Sequence, residues 1–147
     1  MVQWVEEAVI NAPADTVFSL ITDFSGYHNW NPWVVSASGG CVEGNDKVVV
    51  TADVGGRLGQ YRHKILTVQR PSVFVWCDLG WFTVLAYGER RRELAEANGQ
   101  THYRVSLTVT GSFAWLVKAL LGASLAKGLK AETQALKRAA EKQQKRG

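Results

Sequence analysis

The chain has 147 residues, 46% hydrophobic and 20% charged, with a net charge of +4; this is the make-up of one globular domain that can bury a core without disulfides or metal. No apolar run reaches the length of a membrane span, and Met1-Val2-Gln3-Trp4-Val5-Glu6-Glu7 lacks the basic and apolar regions of a secretion signal. Cys41 and Cys77 stand far apart with neither CxxC nor metal-type spacing, so reduced thiols in a cytoplasmic protein are expected.

Residues 2–10 read as a first strand, rich in Val and Ile and free of breakers. Asn11-Ala12-Pro13 ends it and opens a short helix. Asn11 suits the N-cap, Pro13 the first turn, and Asp15 the positive end of the helix dipole. Val17, Phe18, Leu20, Ile21 and Phe24 give that helix an apolar face. Ser25-Gly26 interrupts it. The run Tyr27-His28-Asn29-Trp30-Asn31-Pro32-Trp33 that follows is aromatic and turn-rich, and Pro32 stops any helix at Asn31; two short helices are expected between the first and second strands.

Six more strands are expected at 34–42, 47–54, 60–69, 73–79, 88–97 and 102–110. Their breaks include Gly55-Gly56, Arg70-Pro71-Ser72 and Asn98-Gly99, the last being the strongest hairpin signal. Alternation is cleanest in Val48, Val50, Ala52 and Val54, and in Tyr103, Val105, Leu107 and Val109. The turn spacing fits an antiparallel sheet. Residues 80–86, with Trp81, Phe82, Val84 and Leu85, are too apolar for an ordinary exposed loop. They read as a flap over a cavity opening or as an edge used by a partner.

The chain closes on a long amphipathic segment. Phe113, Leu116, Val117, Leu120, Leu121, Leu125, Gly128, Leu129, Leu136, Ala139 and Ala140 recur at helical spacing, which predicts one helix over roughly 113–143. A helix that long needs a broad apolar partner, and only the strands can supply one. The class is therefore α+β: a seven-stranded antiparallel sheet wrapped round a C-terminal helix, with a cavity between them. Residues 118–147 carry eight Lys/Arg against two Asp/Glu, a net of +6 that leaves −2 for the rest. These charges spread around the helix without aromatics, as on a solvated face, so no nucleic-acid partner is expected.

Catalytic signatures such as GxSxG, HExxH, GxxxxGK[ST] and GxGxxG are absent, and neither a cofactor nor a metal site is expected. His63 is the best candidate for proton transfer if it points inward. In Glu89-Arg90-Arg91-Arg92-Glu93, alternation sets Glu89, Arg91 and Glu93 on one side and Arg90, Arg92 and Leu94 on the other. An arginine here, with Arg91 as the candidate, would meet an anionic or carbonyl group on a ligand if that side faces in; otherwise the run pairs charges across strands in water. Trp30, Trp33, Trp76, Trp81 and Trp115 sit near element ends, and with Tyr103, Leu120, Gly128 and Leu129 they are candidates to contact an apolar ligand. A glycine inside a helix costs about 1 kcal/mol relative to alanine, so Gly128 reads either as room for a ligand or as close packing.

The order of elements resembles the helix-grip, START-like superfamily, also called SRPBCC. The matching residues are Val9-Ile10-Asn11-Ala12-Pro13-Ala14-Asp15-Thr16-Val17-Phe18 with Asp23, the 27–33 run, Val68-Gln69-Arg70-Pro71 leading to Trp76, Gly99-Gln100-Thr101, Gly111-Ser112-Phe113, and Lys127-Gly128-Leu129-Lys130-Ala131-Glu132 through Leu136-Lys137. The bacterial polyketide cyclase/dehydrase-like branch is the most similar. The resemblance implies one domain over 1–147 that binds or transports a hydrophobic small molecule. A cyclase or dehydratase acting on an aromatic or poly-keto substrate is the alternative, and a protein-interaction domain a further one. No catalytic set of the family carries over residue by residue.

Overall fold

The computed structural model describes residues 1–146. β1 (Val2–Ile10) turns Val2, Trp4, Ala8 and Ile10 inward and Gln3, Val5, Glu7 and Val9 to water. α1 (Ala14–Thr22) and a 3₁₀ segment (Phe24–Asn29) follow, burying Val17, Phe18, Ile21 and Phe24. Then come β2 (Val34–Ser38), β3 (Val48–Val54), β4 (Arg57–Gln69), β5 (Val73–Asp78), β6 (Tyr87–Ala97) and β7 (Gln100–Thr110), with a second 3₁₀ segment (Trp81–Val84) between β5 and β6. α2 (Ala114–Arg146) ends the described chain. The strands form one antiparallel sheet ordered β1-β7-β6-β5-β4-β3-β2. The architecture is α+β, with the sheet curled round the C-terminal helix.

Two tight turns set the register. Val54 pairs with Arg57 across Gly55 and Gly56 (φ 67° and 84°), and Ala97 pairs with Gln100 across Asn98 and Gly99 (φ 56° and 76°). Both are two-residue loops with two positive φ values, which match the sheet's twist. The glycine pair is itself the whole first turn, so β4 starts at Arg57 rather than at 60. β2 stops at Ser38, short of 42, where Gly39 takes a φ of 110°.

α2 runs 33 residues along β1 and also touches β3, β7 and α1. Its Leu125, Leu129, Leu136 and Ala140 join Phe18, Ile21, Trp76, Tyr103 and Val105 in one core. The apolar stripe is less regular than expected near its start. Val117, Leu121 and Leu125 follow one line toward the sheet, and Leu120 lies on its flank, 73% exposed. The start of α1 also differs. Pro13 occupies the N-cap position, and the Ala14 N–H donates to Glu96 Oε1 at 2.7 Å. Asn11 instead donates its backbone N–H to Glu141 Oε2 and accepts from Gln100 Nε2.

Candidate functional site

The space between sheet and helix is a cavity of about 220 Å³. Its walls are chiefly apolar: Val50, Ala52 and Val54 from β3, Leu107 and Val109 from β7, and Val117, Leu121 and Leu125 from α2. Phe82 reaches it from the second 3₁₀ segment. That segment is tied to the start of α2, because the Phe113 N–H donates to the Leu85 carbonyl at 3.0 Å.

Sheet register puts one polar patch on this apolar surface. His63 pairs with Asp78 between β4 and β5, and Trp76 pairs with Arg90 between β5 and β6. Period-two alternation then turns His63, Asp78, Trp76 and Arg90 to the cavity together. Asp78 fits because Gly88 has no side chain: a Cβ there would overlap the Asp78 carboxylate. His63 Nδ1 lies 2.8 Å from the Arg62 carbonyl and 3.7 Å from Asp78 Oδ1. A carbonyl can only accept, so Nδ1 carries the proton and Nε2 is bare. Burial pushes the His63 pKa down to about 4, against that hydrogen bond and helped by Arg90 and Arg92, so the ring is neutral near pH 7. Burial pushes Asp78 up to about 6, opposed by Arg90 and the Gly88 N–H. The Asp78 side chain keeps 37% of its surface accessible, and water reaching it tempers that shift.

Behind the patch lies a buried charge cluster. Arg90 Nη1 donates to Glu132 Oε1 at 2.8 Å, and Asn31 Nδ2 donates to Glu132 Oε2 at 2.8 Å. Arg92 Nη2 stands 3.8 Å from Glu132 Oε1, beyond hydrogen-bond reach, and among the described residues its Nη1 and Nη2 have no hydrogen-bond partner. Aromatic faces hold both guanidinium groups. Arg90 sits 4.6 Å from the Trp33 ring centre and 5.0 Å from that of Trp76; Arg92 sits 4.9 Å from Phe74 and 4.6 Å from Trp76. Two buried arginines thus share one glutamate.

Of the residues singled out in the sequence, Trp33, Trp76 and His63 line the cavity. Arg91 does not. It points to water beside Glu93 at 3.6 Å, and its neighbours Arg90 and Arg92 are the inward arginines, because Trp76 and Phe74 across the β5–β6 ladder face in. Trp30 packs edge-on against Tyr27, while Tyr103 and Leu129 are buried in the core away from the cavity wall. Trp81, Trp115 and Leu120 are 81%, 63% and 73% exposed. A Cβ on Gly128 would overlap the Trp33 indole, so close packing of α2 on Trp33 requires this glycine, which does not line the cavity beside His63 and Arg90. Asp78, Arg90, Arg92, Asn31 and Glu132 were not singled out. Glu132 had a visible signal: it falls on the apolar stripe, between Leu129 and Leu136. So did Asp78, in phase with Phe74 and Trp76.

The family model for polyketide cyclase/dehydrase and lipid transport proteins matches residues 1–141. Solved structures share the fold at low identity. A START superfamily protein from Mycobacterium smegmatis superimposes with a TM-score of 0.74 at 17% identity, covering 95% of this chain and 97% of its own. The Zhui aromatase/cyclase from Streptomyces sp. R1128 gives 0.77 at 15% identity, covering 95% and 93%. Protein NE0264 from Nitrosomonas europaea gives 0.75 at 14%, covering 99% and 97%. No curated protein sequence matches this one.

Proposed function

The chain belongs to the polyketide cyclase/dehydrase and lipid transport family, and from that premise we propose that it is a cytoplasmic protein that binds a small, mostly apolar molecule with one polar head in the cavity. The observation that carries this reading is Arg90: 5% exposed, it lines a chiefly apolar cavity beside His63 and Asp78 and uses Nη1 on Glu132. Such pockets are apolar with a few polar groups that fix orientation. A space of about 220 Å³ exceeds the roughly 150 Å³ that accommodates benzene and falls below the roughly 300 Å³ of drug-sized sites. It suits one or two rings, or a short chain, better than a long lipid. Titration with naphthol tests the reading through Trp33 and Trp76 fluorescence. Saturable quenching is expected in the wild type, with affinity at least about tenfold weaker in Ala52→Phe, which fills the cavity. Absence of saturable quenching by naphthol or any short apolar probe would end this reading.

His63 and Asp78 beside Arg90 favour a second reading, cyclase or dehydratase chemistry on a bound ketone. Arg90 would hold the carbonyl oxygen, and the Asp78 carboxylate would take a proton from the adjacent carbon. The C–H pair moves into the enolate. That carbon then either attacks a second carbonyl, whose oxygen is protonated by Asp78, or expels a β-hydroxyl as water with the same proton. Deuterium exchange at the α-carbon of a small aryl β-diketone, followed by NMR, is the check. Exchange above the buffer rate that Asp78→Asn removes is expected; exchange at the buffer rate would rule the enzyme reading out.

A further inference from the structure

We propose that the ligand is a weak organic acid, an aryl or short-chain carboxylic acid, held as its carboxylate by Arg90 while Asp78 takes up a proton as it binds. The inference rests on the binding reading above. Its first support is the distribution of buried charge. Arg90 and Arg92 face the single carboxylate of Glu132, whose second oxygen is occupied by Asn31. Among the described residues, Arg92 Nη1 and Nη2 are buried without a hydrogen-bond partner. The floor of the cavity is therefore biased toward positive potential. Arg90, 4.6 Å and 5.0 Å from the Trp33 and Trp76 ring centres and with Nη1 on Glu132, has its remaining N–H groups to meet a carboxylate.

Asp78 is the obstacle that makes the binding proton-coupled. It lies beside His63 from β4 and the Gly88 N–H and Arg90 from β6, and it shares the cavity wall with Tyr61 of β4 and Phe82 of the second 3₁₀ segment. α2 offers the cavity only Val117, Leu121 and Leu125, and Glu132 on that helix is bound to Arg90. No cation besides Arg90 lines the cavity among the described residues. A ligand carboxylate arriving at Arg90 would place two carboxylates in one apolar site, and such pairs hold a shared proton instead of two charges. Asp78 is the group readied to accept it, since burial already raises its proton affinity. Its acid form then donates to the ligand carboxylate. Proton balance is simple: one proton leaves the solvent, one O–H forms on Asp78, and no bond of the ligand changes.

The test is isothermal titration calorimetry with naphthoate and its neutral isostere naphthamide. Each is titrated in two buffers of different ionisation enthalpy, across about pH 5 to about pH 8. Expected for naphthoate is uptake of about one proton per site at the alkaline end and close to none at the acid end. Its affinity should rise about tenfold per pH unit on descending toward about pH 6. Naphthamide should bind at least about tenfold more weakly at about pH 6, with no proton uptake. Asp78→Asn should abolish the uptake and leave naphthoate affinity high and flat with pH. Naphthamide binding as tightly as naphthoate, or naphthoate binding without proton uptake in the wild type, overturns the inference while the binding reading stands. Failure of both compounds and of naphthol overturns both.

Discussion

Asp78 and His63 respond to acid in opposite senses, although their side chains are neighbours. The folded pKa of His63, about 4, lies below its ordinary 6.5. Its contribution to stability is present above about 6.5 and is lost as pH falls toward 4. Asp78, at about 6, lies above its ordinary 3.8, so its contribution is present below 3.8 and is lost as pH rises through 6. The two offset each other across roughly pH 4 to 6. The wild-type urea midpoint is therefore expected to be nearly flat there. Asp78→Asn should leave a midpoint that falls with acidification, and His63→Gln one that rises; parallel profiles for all three proteins would contradict this. A second residue-scale expectation concerns Gly128. Gly128→Leu drives side-chain atoms into the Trp33 indole, whose Nε1 donates to the Asp53 carbonyl at 2.9 Å. It should cost about 1–3 kcal/mol, read as a lowered denaturation midpoint. The sequence shows a glycine on an apolar helix face, but Trp33 lies 95 positions away in the chain, and only the folded structure shows that it fills the space. Arg90, Arg91 and Arg92 make the same point. Alternation divides them into two sides, and only the pairing of Trp76 with Arg90 decides which side is inside.

Glu132 is one point at which α2 is fixed to the rest of the fold, through Arg90 on β6 and Asn31 ahead of β2. Glu132→Gln keeps the shape and leaves two guanidinium groups in the core without a counter-charge. A loss of about 3–5 kcal/mol is expected by urea denaturation. The triple change Arg90→Met, Arg92→Met and Glu132→Leu should recover most of it, because burying ions costs about as much as their attraction returns. A single variant within error of the wild type would mean that water already screens the cluster. The elements themselves were largely legible. Turn chemistry at Gly55-Gly56 and Asn98-Gly99, strand alternation and the helical stripe fix their number and order. Their ends were less so. Asn11 has the right side chain to cap α1, yet the Ala14 N–H is met by Glu96, 82 positions further along, and local spacing carries no trace of that partner.

The basic C-terminal stretch divides into a fixed and a free part. Lys137 donates to the Val9 carbonyl and to Glu141, and Glu141 accepts from the Asn11 N–H, so this part of α2 is joined to β1 and its following turn. Residues 142–146 are exposed. Deleting 142–147 should change stability by no more than about 0.5 kcal/mol. Deletion from Lys137 onward also removes Ala140, 0% exposed, and these links, and should lower the melting temperature by several degrees. Equal effects of the two truncations would refute this division. Element order implied that sheet and helix enclose a space, but its size depends on how far α2 stands from β3 and β7, which no local pattern records. Within that space the polar patch and the apolar walls come from different elements. His63, Asp78 and Arg90 stand on the central strands β4, β5 and β6, and the walls come chiefly from β3, β7 and the first half of α2. Drift at Ala52, Val117 or Leu121 can therefore widen or narrow the chamber without disturbing the chemistry at its floor. A lineage built on this scaffold can change the shape of the guest it accepts while keeping the functional group it recognises.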